Sequence, residues 1–466
     1  MKNPYFKLTL SALLLSIIFF GSGCKKSSTS TTTTTVTAPS ITTPGLIINL
    51  TSTTAQSGGI ITDNGGAAIT ANGVCYSSTN KTPTVSDSKT TEPLNTSGLS
   101  PIVFTSNLTG LTPGTVYYLR AYATNSGGNG YGSVITFTTS SNIASVVATV
   151  STFAGNGTAG YTEGTGLGSV FNNPQGVLAD SKGNVYVSDT YNSRIRAITS
   201  GGATSLIAGN GTIGYIDGVS ASAEFYGPQG LTFDTQGNLY VADFGTNAIR
   251  KITTAGVVST YAGTGVSGQT NGAVSIATLS SPSGMVFDSK GNMFITDEGN
   301  NFIRKVNTSG VVTVFAGTKT AGYVNGTTIA SSFSGPSSIA IDASDNLYVT
   351  DQGNSAIRKI TPAGVVTTLA GGPSQTSVLN SPAGIALDKA GNIYITDLSG
   401  RVLEITTANV LYVLAGTANV AGFSNGTGSS ASFSSPQGIT VDASGNIYVA
   451  DQGNNCIRKI TVTVTP

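Results

Sequence analysis

Histidine and tryptophan are absent from this chain of 466 residues, and charged residues make up only 9% of it. The lack of histidine removes the most common general base and the most common metal ligand, although carboxylates and tyrosines remain for either role. The net charge is +1 and no basic cluster is present, so a nucleic acid is not an expected partner. The chain has instead 60 glycines and many serine, threonine and β-branched residues, a composition typical of a turn-rich, all-β protein.

Cysteine is also scarce, and the first of the three cysteines follows a targeting segment. Lys2 and Lys7 precede the apolar run LTLSALLLSIIFF, which is short for a membrane span, and the small residues GSG then lead to Cys24. This segment resembles a bacterial lipobox, with Gly21 where an aliphatic residue is usual. The resemblance implies a signal peptide over residues 1–23 and a lipid on Cys24 that anchors the exported protein to a membrane. Secretion without a lipid, with Cys24 incidental, is the alternative.

The residues after Cys24 bear on the membrane and on the next segment. An aspartate directly after the lipidated cysteine resembles an inner-membrane retention signal, and this chain has Lys25 there instead. The lysine therefore favours the outer membrane, at the cell surface or on its periplasmic side. Residues 24–40 are rich in serine and threonine and are predicted to form a flexible tether. The other two cysteines, Cys75 and Cys456, lie in different segments, so we expect buried apolar residues rather than a disulfide.

Residues 41–140 show short apolar runs separated by Gly, Asn and Pro turns, the pattern of a small β-sandwich. Near its end, Leu111, Pro113 and Tyr117 have the spacing of a tyrosine corner, and YYLRAY alternates like a half-buried strand. This stretch resembles the fibronectin type III-like domains of exported bacterial proteins. The resemblance implies a spacer domain.

A long repeat begins beyond Ser145. Six prolines recur 54, 54, 54, 46 and 54 residues apart, at Pro174, Pro228, Pro282, Pro336, Pro382 and Pro436. Six aspartates follow the same spacing: Asp189, Asp243, Asp297, Asp351, Asp397 and Asp451. Self-similarity at this period is typical of a solenoid or a propeller. The cleanest copy, PQGLTFDTQGNLYVADFGTNAIRKI, resembles the NHL repeat, as do all six units, which implies a six-bladed β-propeller over residues 145–466.

Each repeat can be divided into four strands. In the second copy, GLTFD is strand a, NLYVAD is strand b, AIRKI is strand c and VVSTYAG is strand d. The segment ATVSTFAG, which ends at Gly155, is a strand d with no a, b or c before it, whereas the last repeat ends after strand c at Ile460. Pairing of these two segments would join the first blade to the last and leave no open sheet edge.

Antiparallel connectivity places the b–c turns and the long d–a loops on one face, which is the default place for a ligand. Five arginines lie seven residues after a repeated aspartate: Arg196, Arg250, Arg304, Arg358 and Arg458. Either they form a ring of ligand contacts, or each aspartate orders its turn while the arginine braces the next strand. We favour the structural role, because a buried charge needs a partner and the need recurs in every blade.

Departures from the repeat are the better candidates for ligand binding. Blade five has a shortened d–a loop, Glu404 in place of the arginine seven residues after its aspartate, and Arg401 nearby, a break that function or drift could explain equally. Four of the five long d–a loops carry an aromatic residue at one position, where Gln269 is the exception: Tyr161, Tyr215, Tyr323 and Phe423. These rings could stack on a sugar or grip a peptide, or each could cover its own blade. Four non-repeated acids could form a Ca²⁺ site, with scattered surface charge as the simpler alternative: Glu163, Asp217, Glu224 and Glu298.

The sequence therefore predicts a cell-envelope lipoprotein whose propeller is a non-catalytic binding or scaffold module for protein or glycan. Related six-bladed propellers include metal-dependent lactonases and amidating lyases. The absence of histidine excludes the ligand set of the lyases, and a lactonase-like metal-dependent hydrolase is the alternative. A purely structural adhesion module is a third interpretation. No catalytic residue and no cofactor is assigned from the sequence.

Overall fold

The structure is a computed structural model that describes residues 35–94, 101–141, 145–373, 375 and 378–465. The predicted signal peptide, Cys24 and most of the predicted tether lie outside these residues. Within the described part of the chain, the search for helices long and apolar enough to cross a membrane finds none. The described residues form β-strands and short 3₁₀ turns without an α-helix, which confirms the all-β prediction.

Six sheets, numbered here 1 to 6 in the order of their first strands along the repeat, each contain four antiparallel strands in the order a, b, c, d. The a strands are Pro174–Ala179, Pro228–Phe233, Pro282–Phe287, Pro336–Ile341, Pro382–Leu387 and Pro436–Val441. The b strands are Val185–Asp189, Leu239–Asp243, Met293–Asp297, Leu347–Asp351, Ile393–Asp397 and Ile447–Asp451. The c strands are Arg194–Ile198, Ala248–Ile252, Phe302–Val306, Ala356–Ile360, Arg401–Ile405 and Cys456–Thr465. The d strands are Ala203–Ala208, Val257–Ala262, Val311–Ala316, Val365–Gly371, Val410–Ala415 and, from the start of the repeat region, Ser145–Ala154.

The long d–a loops add a fifth, outer strand of two residues to strand d of the sheet they lead into. This outer strand is present in five sheets: Gly164–Thr165, Gly218–Val219, Gly272–Ala273, Gly326–Thr327 and Gly426–Thr427. In the b–c turns and d–a loops the chain forms single 3₁₀ turns, at Gly166–Gly168, Thr190–Asn192, Phe244–Thr246, Glu298–Asn300, Thr328–Ala330, Gln352–Asn354, Gly428–Ser430 and Gln452–Asn454. The shortened loop before sheet 5 supplies no such outer strand among its described residues.

The Pro-x-Gly start of strand a is explained by how closely neighbouring a strands approach. A Cβ on Gly176 would lie 1.9 Å from the carbonyl oxygen of Gln229 in sheet 2, and a Cβ on Gly438 would lie 2.3 Å from that of Gln175 in sheet 1. Sheets 1 and 6 also share a hydrogen bond from Ala179 N–H to Thr440 Oγ1 at 3.1 Å. Glycine is needed here for space rather than for an unusual φ. The a strands of all six sheets surround one central cavity, which is the arrangement of a β-propeller.

The predicted joining of the two ends of the repeat region is present. Strand Ser145–Ala154 pairs antiparallel with strand Cys456–Thr465 over almost its whole length, with Val150 opposite Ile460. Ala148 and Val150 are buried in the core between sheets 5 and 6. Segments more than 300 residues apart in sequence thus share one sheet.

The N-terminal domain contains two sheets that share a core. One sheet is formed by Ser40–Thr42, Ala55–Asp63 and Ile102–Leu108, and the other by Ala71–Ser77, Ser88–Lys89, Val116–Asn125, Gly128–Tyr131 and Ile135–Thr138. Tyr117 is buried, and its hydroxyl accepts a hydrogen bond from Thr112 N–H at 3.0 Å, as expected for the predicted tyrosine corner. Cys75 in this domain and Cys456 in the propeller are both free and buried, as predicted.

A short strand of this domain, Ile47–Ile48, occupies the outer edge of sheet 5. It pairs in parallel with strand d, with Ile47 opposite Val410, and the Tyr412 hydroxyl donates to Leu50 O at 3.2 Å. This is the edge that the shortened d–a loop leaves unpaired, and unpaired edges invite pairing with another strand. The break in the repeat at sheet 5 therefore coincides with the docking place of the N-terminal domain.

Candidate functional site

The b–c turns and the d–a loops meet on one face of the propeller, as predicted. In four sheets, the last residue of the 3₁₀ turn after strand b is an asparagine that donates from Nδ2 to a d–a loop carbonyl at 2.6–2.8 Å: Asn192 to Gly160, Asn300 to Gly268, Asn354 to Gly322 and Asn454 to Gly422. These bonds attach four of the five long loops to the turns beneath them.

Under this face lies a buried ion pair in each of five sheets. The distances from arginine Nη1 to aspartate Oδ2 are 2.8 Å for Arg196–Asp189, 3.2 Å for Arg250–Asp243, 2.8 Å for Arg304–Asp297, 2.6 Å for Arg358–Asp351 and 2.7 Å for Arg458–Asp451. All ten side chains are fully buried. Each arginine also donates to d–a loop carbonyls, as Arg358 does to Ser332 O and Val324 O. These contacts hold the long loops on their sheets, and we propose a structural role for the ten residues.

The four predicted aromatic residues lie directly over these arginines. In four sheets the guanidinium carbon lies 4.6–5.4 Å from the centroids of two rings: Arg196 contacts Tyr161 and Phe171, Arg250 contacts Tyr215 and Phe225, Arg358 contacts Tyr323 and Phe333, and Arg458 contacts Phe423 and Phe433. The inner phenylalanines are buried, whereas Tyr161, Tyr215, Tyr323 and Phe423 are each 38–40% exposed. Each outer ring thus covers the arginine of its own sheet and leaves part of its own surface exposed.

Sheet 5 departs from this pattern through a b–c turn that is one residue shorter. Arg196 is opposite Val187, two residues before its aspartate, and the residue in that register in sheet 5 is Leu403, opposite Ile395. The assignment of Glu404 to the arginine position is therefore wrong. Counting seven residues from the aspartate misses the shorter turn.

Arg401 and Glu404 are not brought together. Arg401 is buried and holds Asp397 from the start of strand c, with Nε 2.9 Å from Oδ2. Glu404 lies opposite Tyr394 across strands b and c, and the Tyr394 hydroxyl donates to its Oε1 at 3.4 Å. Burial raises the pKa of Glu404 above its usual value. Residues 401 and 404 point to opposite sides of a strand, so they do not form one ligand site.

The four acids considered for Ca²⁺ do not form one cluster. Glu163 accepts from Tyr161 and Leu206 N, Asp217 pairs with Arg250 at 2.7 Å, and Glu224 accepts from Asn210. Glu298 begins the 3₁₀ turn of sheet 3, where burial raises its pKa. Among the described residues, no three acidic or cysteine side chains are grouped to hold a metal ion.

Two cavities are large enough to consider as ligand sites. The central cavity has a volume of about 230 Å³ and is lined by strand a of all six sheets, with glutamine, serine and threonine as its polar side chains and without an acidic, basic or cysteine residue. The second is a cleft of about 410 Å³ between the N-terminal domain and sheet 4, and among its described lining residues Tyr323 alone is titratable. Of the four predicted aromatic residues, Tyr323 alone is among the described residues that line these two cavities. The sequence patterns did not predict either cavity, although the shortened loop before sheet 5 lies beside the cleft.

Sheet 2 allows a test of the ion-pair network, because its turn residue differs from those of sheets 1, 3, 4 and 6. In those four sheets the turn asparagine donates to the aspartate Oδ2 at 2.8 Å. Sheet 2 has Thr246 instead, whose hydroxyl donates to the backbone carbonyl of Asp243 at 3.0 Å and also favours the ionised Asp243 carboxylate through a hydrogen bond. Burial raises the pKa of Asp243 to about 6. An unfolded aspartate has a pKa of about 4. Folding therefore takes up a proton between these values, and this stabilising contribution is complete below about pH 4 and lost as the pH rises through about 6.

We expect Thr246→Asn to raise the free energy of unfolding by about 0.5–1 kcal/mol at pH 7, because the amide of asparagine, as in the other sheets, would replace the hydroxyl as donor to the ionised carboxylate. The gain should be smaller at pH 4, where Asp243 is protonated. Denaturant unfolding at both pH values measures it, and the reverse change Asn300→Thr in sheet 3 should lower stability at pH 7. An equal effect of Thr246→Asn at both pH values would show that the aspartate is not involved.

Comparison with known proteins identifies the repeat and supports the fold. Residues 171–198, 225–252 and 433–460 match the NHL repeat. The first two ranges contain strands a to c of sheets 1 and 2, and the third contains strands a and b and the first half of strand c of sheet 6. A protein of unknown function from Bacteroides thetaiotaomicron aligns over 91% of this chain and 98% of its own, with 18% identity and a TM-score of 0.53. An auxiliary nutrient binding protein from the same species aligns over 90% of this chain and 98% of its own, with 14% identity and a TM-score of 0.52. These likenesses show a shared fold.

A curated relative is similar to part of the chain only. The Arabidopsis thaliana protein Suppressor of Quenching 1, chloroplastic, is 32% identical over 167 residues, which are 33% of this chain and 16% of that protein. The chain thus spans about a sixth of the length of the curated relative it matches.

Proposed function

We propose that this chain is a non-catalytic binding protein of the bacterial cell envelope, with a protein or a glycan as its ligand. The observation that carries the proposal is the chemistry of its two cavities. Neither contains an acidic, basic or cysteine side chain among its described lining residues, so neither offers a general acid, a general base or a nucleophile matched to neutral pH. Hydroxyl, amide and aromatic groups remain, which suit recognition.

The architecture we infer is a closed, six-bladed NHL propeller preceded by a fibronectin type III-like sandwich. Six sheets around one cavity and the pairing of Ser145–Ala154 with Cys456–Thr465 support the closed ring. Two sheets sharing a core and the Tyr117 hydrogen bond support the sandwich. We further propose a lipid on Cys24 and the outer membrane as the location, on the basis of the N-terminal sequence.

The fold neighbours support the same proposal. The nutrient binding protein from Bacteroides thetaiotaomicron aligns over 90% of this chain, so the likeness extends beyond the propeller to the N-terminal domain. That protein is described as binding a nutrient. We extend to this chain only the general function of ligand capture.

The test is binding by the full chain, measured with arrays of neutral and acidic glycans and with pull-downs of envelope proteins. We expect a ligand to be retained, and we expect the triple change of Tyr161, Tyr215 and Tyr323 to alanine to weaken its binding by at least about tenfold, since each of these rings keeps exposed aromatic surface above the ion pair of its own sheet. Tyr191→Ala, a change of another exposed tyrosine, is the control. No ligand in either assay, or a stoichiometric divalent ion tightly held by the purified protein, would contradict a non-catalytic binding function.

A further inference from the structure

Strand c of sheet 5 carries a reversed charge at a position that the repeat otherwise gives to lysine. In sheets 2, 3, 4 and 6 the strand c residue opposite the second residue of strand b is a lysine: Lys251, Lys305, Lys359 and Lys459. In sheet 5 this residue is Glu404, and in sheet 1 it is Ala197. The break in the repeat at Glu404 is therefore the loss of a lysine and the gain of a carboxyl group.

A second departure from the repeat lies beside the first, on strand d of the same sheet. The residue opposite Glu404 is Tyr412. The corresponding residue in each of the other five sheets is a serine or a threonine: Ser151, Ser205, Ser259, Thr313 and Thr367. The Tyr412 hydroxyl donates to Leu50 O of the N-terminal domain at 3.2 Å, and the Tyr412 side chain packs against the core of that domain. Both departures thus occur in the sheet on which the N-terminal domain docks.

One tyrosine hydroxyl lies between two carboxyl groups in this row of side chains. The Tyr394 hydroxyl is 3.2 Å from Asp388 Oδ2 and 3.4 Å from Glu404 Oε1, but it has a single proton to donate. Asp388 also accepts from the backbone N–H and the side-chain amide of Asn392, both at 2.9 Å. For Glu404, Tyr394 is the only donor in the described part of the chain. A proton on Glu404 would satisfy both contacts, because the carboxyl then donates to the tyrosine oxygen while the hydroxyl donates to Asp388.

The surroundings of Glu404 favour its neutral form. No ion pair among the described residues includes Glu404 or Asp388, and Lys389, next to Asp388 in the a–b turn, is exposed. Sheet 6 adds apolar side chains to the core on this face of sheet 5: Ala148, Val150, Ile439, Val441 and Val462. The titratable side chains of the N-terminal domain in the core around Tyr412 are Tyr76 and Tyr117. Burial raises the pKa of Glu404, and the Asp388 charge adds to this, whereas the hydrogen bond from Tyr394 opposes it.

We propose that a proton on Glu404 strengthens the docking of the N-terminal domain on sheet 5. Tyr412 lies beside Glu404 and is held by Leu50 O and the core of the domain, so undocking would free Tyr412 and admit water to the carboxyl group. The pKa of Glu404 would then return toward its usual value, and docking therefore takes up a proton. This contribution to docking is complete below the usual pKa and is lost as the pH rises through the raised pKa. Since Leu46 and Ile48 of the docked segment line the cleft, the same proton stabilises the cleft.

Two backbone amides report the docking directly. The N–H of Ile47 donates to Asn409 O at 3.1 Å. The N–H of Asn49 donates to Leu411 O at 3.0 Å. The experiment is hydrogen exchange of these amides in the full chain, corrected for the pH dependence of intrinsic exchange, which measures the free energy of undocking. The amides of Met293–Asp297 in sheet 3 report the stability of the propeller itself.

We expect the protection of Ile47 and Asn49 to fall by at least about threefold between pH 5 and pH 8. Glu404→Gln, which cannot ionise, and Glu404→Lys, which restores the residue of four other sheets, should both abolish this pH dependence. The matched control is Glu163→Gln, because Glu163 also accepts from a tyrosine hydroxyl, that of Tyr161 at 3.2 Å, but in sheet 1. The control should keep the pH dependence of the unchanged protein.

Two results would overturn the proposal. One is protection of Ile47 and Asn49 that does not change with pH in the unchanged protein. The other is a pH dependence that persists in Glu404→Gln, which would assign the proton to another group. The protection of Met293–Asp297 should be the same in Glu404→Gln as in the unchanged protein at each pH. A parallel change in these amides would place the effect in the propeller rather than in the docking, and would also overturn the proposal.

Discussion

Replacing Arg304 with alanine is expected to lower the free energy of unfolding by about 3–5 kcal/mol, because it leaves a buried carboxylate without its partner. Arg304 is fully buried and donates to four acceptors, namely Asp297 Oδ2, Thr278 O, Thr270 O and Asn271 Oδ1, at 2.8–3.1 Å. Three of these acceptors belong to the d–a loop before sheet 3. The substitution should therefore both destabilise the sheet and release the loop.

Lys305→Ala is the matched control, since Lys305 follows Arg304 in the same strand but is only half-buried. Its ammonium lies 5.4 Å from the Phe294 ring, so its loss should cost less than about 1 kcal/mol. Denaturant unfolding gives both values. A cost for Arg304→Ala within 1 kcal/mol of that for Lys305→Ala would mean that the buried pair contributes no more than a surface charge.

A double substitution separates the pair from the packing around it. Asp297→Ala combined with Arg304→Leu removes both charges, and sheet 5 already holds Leu403 in the register of the arginine. Because no uncompensated charge remains, the double change should cost less than the sum of its single changes, with a coupling of about 1–3 kcal/mol. Additive costs would show that the two side chains do not depend on each other.

Periodic features of this molecule could be predicted from the sequence because they have local causes. The strands were located by apolar runs between Gly-containing turns: strand c of the second repeat was predicted as AIRKI and is Ala248–Ile252. The Asp–Arg spacing indicated partners because buried charges must be paired. The joining of Ser145–Ala154 to the last repeat followed from a strand d without its sheet.

Features that depend on a one-residue change or on docking could not be predicted in this way. The b–c turn of sheet 5 is one residue shorter, which places Leu403 rather than Glu404 in the arginine register. Counting residues from Asp397 along the sequence does not reveal that the turn is shorter. Likewise, Ile47–Ile48 pairs with a strand more than 360 residues later, and only folding brings the two edges together. The cleft lies between the docked N-terminal domain and sheet 4, so sequence patterns could not predict it either.

The pairing that closes the propeller should control the stability of the whole ring. Val150 is 2% exposed and packs in the core between sheets 5 and 6, so Val150→Asp would bury a charge without a partner. We expect a loss of at least about 3 kcal/mol. Val146→Asp, in the same strand at a position that is 54% exposed, should change stability by less than about 0.5 kcal/mol.

Hydrogen exchange distinguishes a closed ring from a fraying end. Strand Met293–Asp297 of sheet 3 lies on the far side of the ring from the closing strand, and its amides exchange through the openings that unfold that sheet. If closure couples all six sheets, Val150→Asp should lower the free energy of exchange of these amides. The decrease should equal the decrease in the free energy of global unfolding. Unchanged protection in Met293–Asp297 together with rapid exchange in Cys456–Thr465 would show instead that the sheets unfold one at a time from the seam. The long loops would then depend on the ion pairs of their own sheets alone, and the closing strand would contribute only to the sheets beside it.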